Sequence, residues 1–141
     1  MRAFLDTSVL VATFLGDHPN HSSSLDLFLR LTSKTGFCAA HSLAEVYATV
    51  TRLPGRHRVG GDQAVLFLDE IRNRLSLVAL DGDSYYKVLS QAADARVVGG
   101  AVYDALIAQC AVQARASSLY TLNQRHFAAL PSLGNIPLRV P

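Results

Sequence analysis

The sequence has few of the residues that mark several common protein classes. It contains two cysteines, Cys38 and Cys110, each inside an apolar stretch, so we expect buried thiols rather than a disulfide or a zinc site. No apolar run reaches the roughly 18 residues that span a bilayer. Asp6 also interrupts the only early apolar stretch before it could serve as a signal peptide. We therefore expect a cytoplasmic protein with no membrane partner.

Several motifs that carry chemistry are missing as well. There is no glycine-rich phosphate loop and no G-x-S-x-G nucleophile motif, and the five histidines lack the spacing of zinc ligands. The 141 residues, half of them hydrophobic, carry a formal net charge of +2. This length and composition are typical of one globular domain with a full hydrophobic core.

Short apolar segments alternate with amphipathic segments along the chain. Strands are predicted at residues 2–5, 37–40, 77–80, 119–122 and 136–140. Helices are predicted from 7 to about 15, from near 18 to about 31, from 42 to the break at 53–55, from 62 onward, from the cap at 81–83 to roughly 95, and at 101–116. The alternation predicts a single α/β domain with a central, mainly parallel sheet of about five short strands and helices on both faces.

Two of these helices have apolar residues at helical spacing, which predicts the side that each one buries. In the helix that begins at residue 42 this stripe is Leu43, Val46, Tyr47 and Val50. In the next helix, for which Asp62 is the expected N-cap, it is Val65, Leu68, Ile71 and Leu75. Glu45 points away from the first stripe, on the same face as Thr49 and Arg52.

Three acids occupy comparable positions near the starts of helices. Asp6 follows the first strand, Glu45 lies early in its helix, and Asp104 is in the first turn of the most apolar helix. Each could be structural, as a helix cap, a surface ion pair or a complement to a helix dipole. Gathered at the ligand crevice of an α/β sheet, however, they could not all stay ionised without a cation. Oxygen ligands suit Mg²⁺ or Mn²⁺, which can promote phosphodiester hydrolysis.

A basic loop supports this chemistry. Its arginines are Arg52, Arg56 and Arg58. The planar guanidinium group suits contact with phosphate, so the loop is a candidate patch for binding a phosphate backbone, although a solvated loop would look the same.

Four stretches, in this order, resemble the PIN-domain ribonucleases, and most closely the VapC-type toxins of bacterial toxin–antitoxin pairs. They are F-L-D-T-S-V-L at 4–10, S-L-A-E-V-Y at 42–47, Y-D-A-L-I-A at 103–108, and L-Y-T-L-N-Q-R-H-F at 119–127. The resemblance covers essentially the whole chain, so residues 1–141 are interpreted as one PIN domain.

The resemblance implies an endoribonuclease that depends on Mg²⁺ or Mn²⁺. Its catalytic and metal-binding acids would be Asp6, Glu45 and Asp104, with Asp6 and Asp104 as the principal ligands. Ser8 would line the same pocket. The family also implies a homodimer and a cognate VapB-type antitoxin that inhibits the enzyme.

The fourth stretch departs from the family pattern. Asn123 stands where members often carry an aspartate, and residues 121–127 contain no carboxylate. An amide can line the pocket but adds no negative charge, so we expect one tightly held ion. The missing acid leaves open a non-catalytic PIN-like module that binds RNA or a partner. A phosphoacceptor receiver domain is the other alternative, but Asp6 lacks the adjacent acid that such domains carry.

Overall fold

The computed structural model describes residues 1–141. Its strands are β1 (Ala3–Leu5), β2 (Gly36–Ala39), β3 (Ser76–Val78), β4 (Ser118–Tyr120) and β5 (Leu138–Arg139). Its helices are α1 (Thr7–Phe14), α2 (His21–Arg30), α3 (Ala40–Thr51), α4 (Gly61–Arg74), α5 (Gly82–Asp94), α6 (Ala101–Gln113) and α7 (Gln124–Ala128). Two short 3₁₀ turns lie at Gly55–His57 and Pro131–Leu133.

The five strands form one sheet in the order β3-β2-β1-β4-β5, with every neighbouring pair parallel. Phe4 of β1 pairs with Phe37 on one side and with Leu119 on the other. Along the chain, β2 and β3 are therefore added on one side of β1, and β4 and β5 are then added on its other side. Open α/β sheets bind their ligands beside such a reversal, at the carboxyl ends of the strands.

Alternate side chains of β1 face two different helical layers, because successive residues of a strand point to opposite faces of the sheet. Phe4 belongs to a core cluster with residues of α5, α6 and α7, whereas Ala3 and Leu5 belong to a cluster with residues of α1 to α4. The predicted parallel sheet with helices on both faces is confirmed. None of the helices has both the length and the apolar content needed to cross a bilayer.

Both cysteines are free and buried, as expected from the apolar stretches around them. Burial raises the pKa of Cys38 to about 12 and that of Cys110 to about 11. The two thiols therefore stay protonated at neutral pH and act as small hydrophobic side chains.

Two predicted helix starts are wrong. Helix α2 begins at His21 rather than near residue 18, because Nδ1 of His18 accepts a hydrogen bond from the backbone N–H of Asn20 at 3.0 Å and holds a turn ahead of the helix. Asp62 is not the N-cap of α4. Gly60 occupies that position in an extended conformation, and Asp62 lies inside the first turn.

The buried sides of α3 and α4 also differ from the predicted stripes. Tyr47 and Val65 are exposed by 42% and 47%. In α3 the buried side chains recur every four residues, at Ser42, Val46 and Val50. In α4 the small side chain of Ala64 takes the buried place expected for Val65.

Candidate active site

An open pocket of about 490 Å³ lies at the carboxyl ends of β1 and β4, where the strand order reverses. All three predicted acids line it, although they come from separate elements: Asp6 follows β1, Glu45 lies on α3, and Asp104 lies in the first turn of α6. Ser8 and Asn123, the two predicted pocket-lining residues, line it as well. The fold thus brings together residues that are more than 100 positions apart.

Asp6 is held by hydroxyl groups rather than by the helix that it precedes. Its side chain makes no capping bond to α1. Instead, Oδ2 accepts hydrogen bonds from Ser8 Oγ at 2.7 Å and from Thr121 Oγ1 at 2.8 Å. The residue is only 3% exposed. Because both bonds fall on Oδ2, Oδ1 has no protein donor and is left open to the pocket.

The hydroxyls that hold Asp6 are themselves fixed by the backbone after β4. Leu122 donates its N–H to Ser8 Oγ at 3.0 Å, and Asn123 donates its N–H to Thr121 Oγ1 at 2.9 Å. Each hydroxyl therefore accepts from the backbone and donates to the carboxylate. This network ties the end of β4 to the end of β1 and fixes the orientation of Asp6.

Glu45 is also oriented by a hydroxyl. Its Oε1 accepts a hydrogen bond from Thr7 Oγ1 at 2.8 Å, and Thr7 Oγ1 is 2.9 Å from Ser42 Oγ. Nε2 of His41 lies 3.9 Å from the same carboxylate oxygen, one helical turn earlier on α3. The side chain is 30% exposed. Its hydrogen-bond donor, Thr7, therefore lines the same pocket, and Glu45 forms no ion pair with Arg52.

The pKa of Asp104 is raised above its ordinary value. Burial, together with the negative charge of Asp6 and a smaller contribution from Glu45, raises its pKa to about 6, while His126 opposes the rise. Nδ1 of His126 lies 3.7 Å from Asp104 Oδ2. Mutual repulsion of the three carboxylates is what a bound cation would relieve, and such perturbed groups cluster at functional sites.

The donors around the pocket suit a hard divalent cation. Those of Asp6, Glu45, Asp104, Ser8 and Asn123 include carboxylate, hydroxyl and amide oxygens, which are the ligands that Mg²⁺ and Mn²⁺ accept. No group of three or more His, Cys, Asp or Glu side chains is placed so that it could hold a metal ion by itself. This is compatible with Mg²⁺, which commonly binds through one or two carboxylates and keeps several waters.

The basic loop lies outside this pocket but next to it. Arg56 and His57 line a second cavity, and His18 lines both that cavity and the acidic pocket. Nδ1 of His57 lies 3.6 Å from Asp17 Oδ2, and Arg58 Nε donates to the carbonyl of Leu53 at 3.2 Å. All three arginines of the loop are exposed: Arg52, Arg56 and Arg58.

Sequence reasoning missed several residues of the site. Thr7 orients Glu45, and Thr121 orients Asp6. In the sequence, the only sign of this role is position: Thr121 directly follows β4, and Thr7 is the second residue after β1. His18 lines the pocket, and His41 and His126 lie beside Glu45 and Asp104. The sequence shows only that these histidines lack the spacing of zinc ligands.

Comparison with known proteins agrees with this geometry. The PIN domain family matches residues 3–133. The chain is 36% identical over 114 residues to Ribonuclease VapC40 of Mycobacterium tuberculosis, covering 81% of each protein. The chain belongs to the PIN-domain family. Within that family, this PIN domain is of the VapC type.

Solved structures share the fold of this chain over nearly its whole length. The Mycobacterium tuberculosis toxin VapC20, described as cleaving the Sarcin-Ricin loop, superposes with a TM-score of 0.73 at 16% identity and covers 90% of this chain and 94% of its own. A toxin–antitoxin complex from Klebsiella pneumoniae gives a TM-score of 0.65 at 17% identity and covers 99% of this chain and 97% of its own. Because the sequence identities to these structures are only 16% and 17%, the similarity establishes a shared fold and nothing more.

Proposed function

We propose that this PIN domain is the toxin of a toxin–antitoxin pair and acts as a divalent-metal-dependent endoribonuclease. The observation that carries the proposal is the convergence of Asp6, Glu45 and Asp104 on one pocket at the strand-order reversal. PIN ribonucleases of the VapC type generally depend on a divalent metal. For this chain we propose Mg²⁺ or Mn²⁺, with one ion held mainly by Asp6 and Asp104, because Asn123 adds no fourth charge to the pocket.

The side chains of the pocket and of the basic loop would have different roles. Asp6 presents Oδ1 to the pocket while Ser8 and Thr121 hold its other oxygen. Glu45, held by Thr7, completes the acidic wall. When bound, the cation would supply activation of water and neutralisation of charge on the phosphate oxygens. The exposed arginines of the basic loop would contact neighbouring phosphates, which the acids alone would repel.

The partners proposed for the chain follow from its family. The Klebsiella pneumoniae neighbour is a toxin–antitoxin complex, and we propose that this chain likewise binds a cognate VapB-type antitoxin. We also propose a homodimer, because α5 exposes a group of large hydrophobic side chains: Tyr85, Tyr86 and Leu89. Residues 1–141 are proposed to form one PIN domain, since β5 completes the sheet beyond the family match.

The direct test is cleavage of a mixed set of single-stranded RNAs with and without Mg²⁺. Wild-type protein is expected to cleave only with the metal. Asp6→Asn, Asp104→Asn and Glu45→Gln should lose activity while far-UV circular dichroism stays unchanged, because each amide keeps the shape of the side chain and removes its charge. Asp26→Asn is the matched control, since Asp26 is exposed on α2 and forms no ion pair.

Two other outcomes would change the assignment. Cleavage that survives Asp6→Asn would remove Asp6 from the site. RNA binding without cleavage, in any metal, would favour the non-catalytic module, whose supporting observation is the lack of a carboxylate at residues 121–127.

A further inference from the structure

A second cavity, of about 380 Å³, lies beside the acidic pocket. It is bordered by the segment that ends α1, by the turn at Gly55–His57 and by α4. His18 lines both this cavity and the acidic pocket, so the two are neighbours along one continuous surface. The proposed hydrolysis takes place in the acidic pocket and uses only Arg56 of this second cavity, as a phosphate contact.

The walls of the cavity combine apolar and polar side chains. Phe14 and Phe67 lie with their rings nearly parallel, at a centroid separation of 4.8 Å and an interplanar angle of 19°. Asp17, Gln63 and Arg56 line the same space. A nucleobase has apolar faces and hydrogen-bonding edges, and proteins that read single-stranded RNA bind such bases between aromatic or apolar surfaces and polar side chains.

His18 has a defined hydrogen-bonding state at the junction of the two spaces. Its Nδ1 accepts the N–H of Asn20 at 3.0 Å, so in the neutral ring the proton must be on Nε2. The ring is therefore a hydrogen-bond donor at a position that borders both the acids and the cavity. A donor at that place suits the phosphate or ribose that would connect a base in the cavity to a linkage in the acidic pocket.

We propose that this cavity binds one unpaired base of the RNA, in a nucleotide next to the phosphodiester bond that is cut. The proposal rests on the function proposed above and adds to it a determinant of cleavage sequence. Asp17 and Gln63 could read the edge of the base, because carboxylate and amide groups pair with base amino and ring-nitrogen positions. Arg56 supplies positive charge beside the phosphate of the same nucleotide.

The test fills the cavity without altering the acids. Gly16 lines the cavity, a Cβ at this position meets nothing within 4 Å, and its φ is not in the left-handed region, so Gly16→Leu is expected to fold. Gly82→Leu is the matched control, because a Cβ there also meets nothing within 4 Å and Gly82 lines neither space. The probes are short RNAs in which each nucleotide flanking the cleavage site is made abasic in turn.

In wild type and in Gly82→Leu, removal of the base at one flanking position is expected to slow cleavage by roughly 5- to 150-fold, the range that corresponds to loss of one stacked base. In Gly16→Leu the ratio of rates for intact and abasic RNA should fall toward one at that position. The same dependence on every base in Gly16→Leu and wild type would overturn the proposal. So would unchanged base dependence together with weaker antitoxin binding, which would assign the cavity to the antitoxin.

Failure of the proposed function would be seen separately, as absence of cleavage by wild-type protein. The affinity of the protein for each abasic RNA would then be measured by fluorescence anisotropy of the labelled RNA. A loss of affinity at one position in wild type that disappears in Gly16→Leu would support the base-binding cavity, and an identical pattern in the two proteins would contradict it.

Discussion

Replacing Asp104 by asparagine is expected to stabilise the metal-free protein at neutral pH, although it should abolish activity. Its folded-state pKa of about 6 lies above the ordinary value of 3.8, first because of burial and then because of Asp6. The folded state therefore binds the Asp104 proton more tightly than the unfolded state does. The contribution of Asp104 to the free energy of unfolding therefore falls as the pH rises from about 4 to about 6. Above pH 6 the full cost of the ionised carboxylate is present.

The size of this effect follows from the two pKa values. The difference between about 6 and 3.8 corresponds to about 3 kcal/mol, since one pKa unit is worth about 1.4 kcal/mol. The amide of asparagine still has a cost of burial, and the Asp104 side chain is 23% exposed. We therefore expect Asp104→Asn to raise the free energy of unfolding by about 1–2 kcal/mol at pH 7.5.

Urea denaturation in EDTA measures this difference directly, at pH 7.5 and at pH 4. The stabilisation should be present at the higher pH and disappear at the lower one, where the wild-type carboxyl is largely protonated. Excess Mg²⁺ should then stabilise wild type more than Asp104→Asn, because a ligand that binds only the folded state shifts the equilibrium toward it. Equal stability of the two proteins at pH 7.5 in EDTA would refute the inferred cost of a buried, ionised Asp104 next to Asp6.

Three further predictions concern the groups around the site. Ser8→Ala should lower stability by about 1–3 kcal/mol and reduce activity, because it removes a 2.7 Å hydrogen bond to the carboxylate of Asp6; urea denaturation and cleavage assays check this. Cys38 should not react with a thiol reagent until the protein unfolds, because its pKa is about 12 and its side chain is buried; early labelling would contradict the packing. Replacing the loop arginines should make the salt dependence of RNA binding shallower, by about 0.7 in log–log slope for each phosphate that is no longer neutralised, and an unchanged slope would remove the loop from RNA binding. The loop arginines to be replaced are Arg52, Arg56 and Arg58.

The sheet and its helices could be predicted because their signals are local. Each buried strand is a short apolar run, α3 and α4 have apolar residues at helical spacing, and α6 is an apolar segment too long for a strand. Helix α7 has five residues and each 3₁₀ turn has three, too few to establish a period, so tertiary packing decides them. The start of α2 depends on a hydrogen bond between His18 and the backbone of Asn20, which the sequence does not specify.

The acids of the pocket could be proposed from their positions after strands and at helix starts, whereas the network around them could not. The bond from Thr121 to Asp6 joins residues 115 positions apart, and it exists because β4 lies directly beside β1. Strand order is set by the packing of both helical layers, and the sequence pattern alone does not give it. The proximity of His18 to the acids depends on the same arrangement.

Direct measurement of metal binding tests the central claim, that Asp6, Glu45 and Asp104 form one divalent-cation site. Calorimetric titration of metal-free protein with Mn²⁺ should show about one strong site in the wild type. Asp6→Asn and Asp104→Asn should abolish it, Glu45→Gln should weaken it, and Asp26→Asn should leave it intact. Undiminished Mn²⁺ binding by Asp6→Asn or Asp104→Asn would contradict the account, because the site would then lie elsewhere.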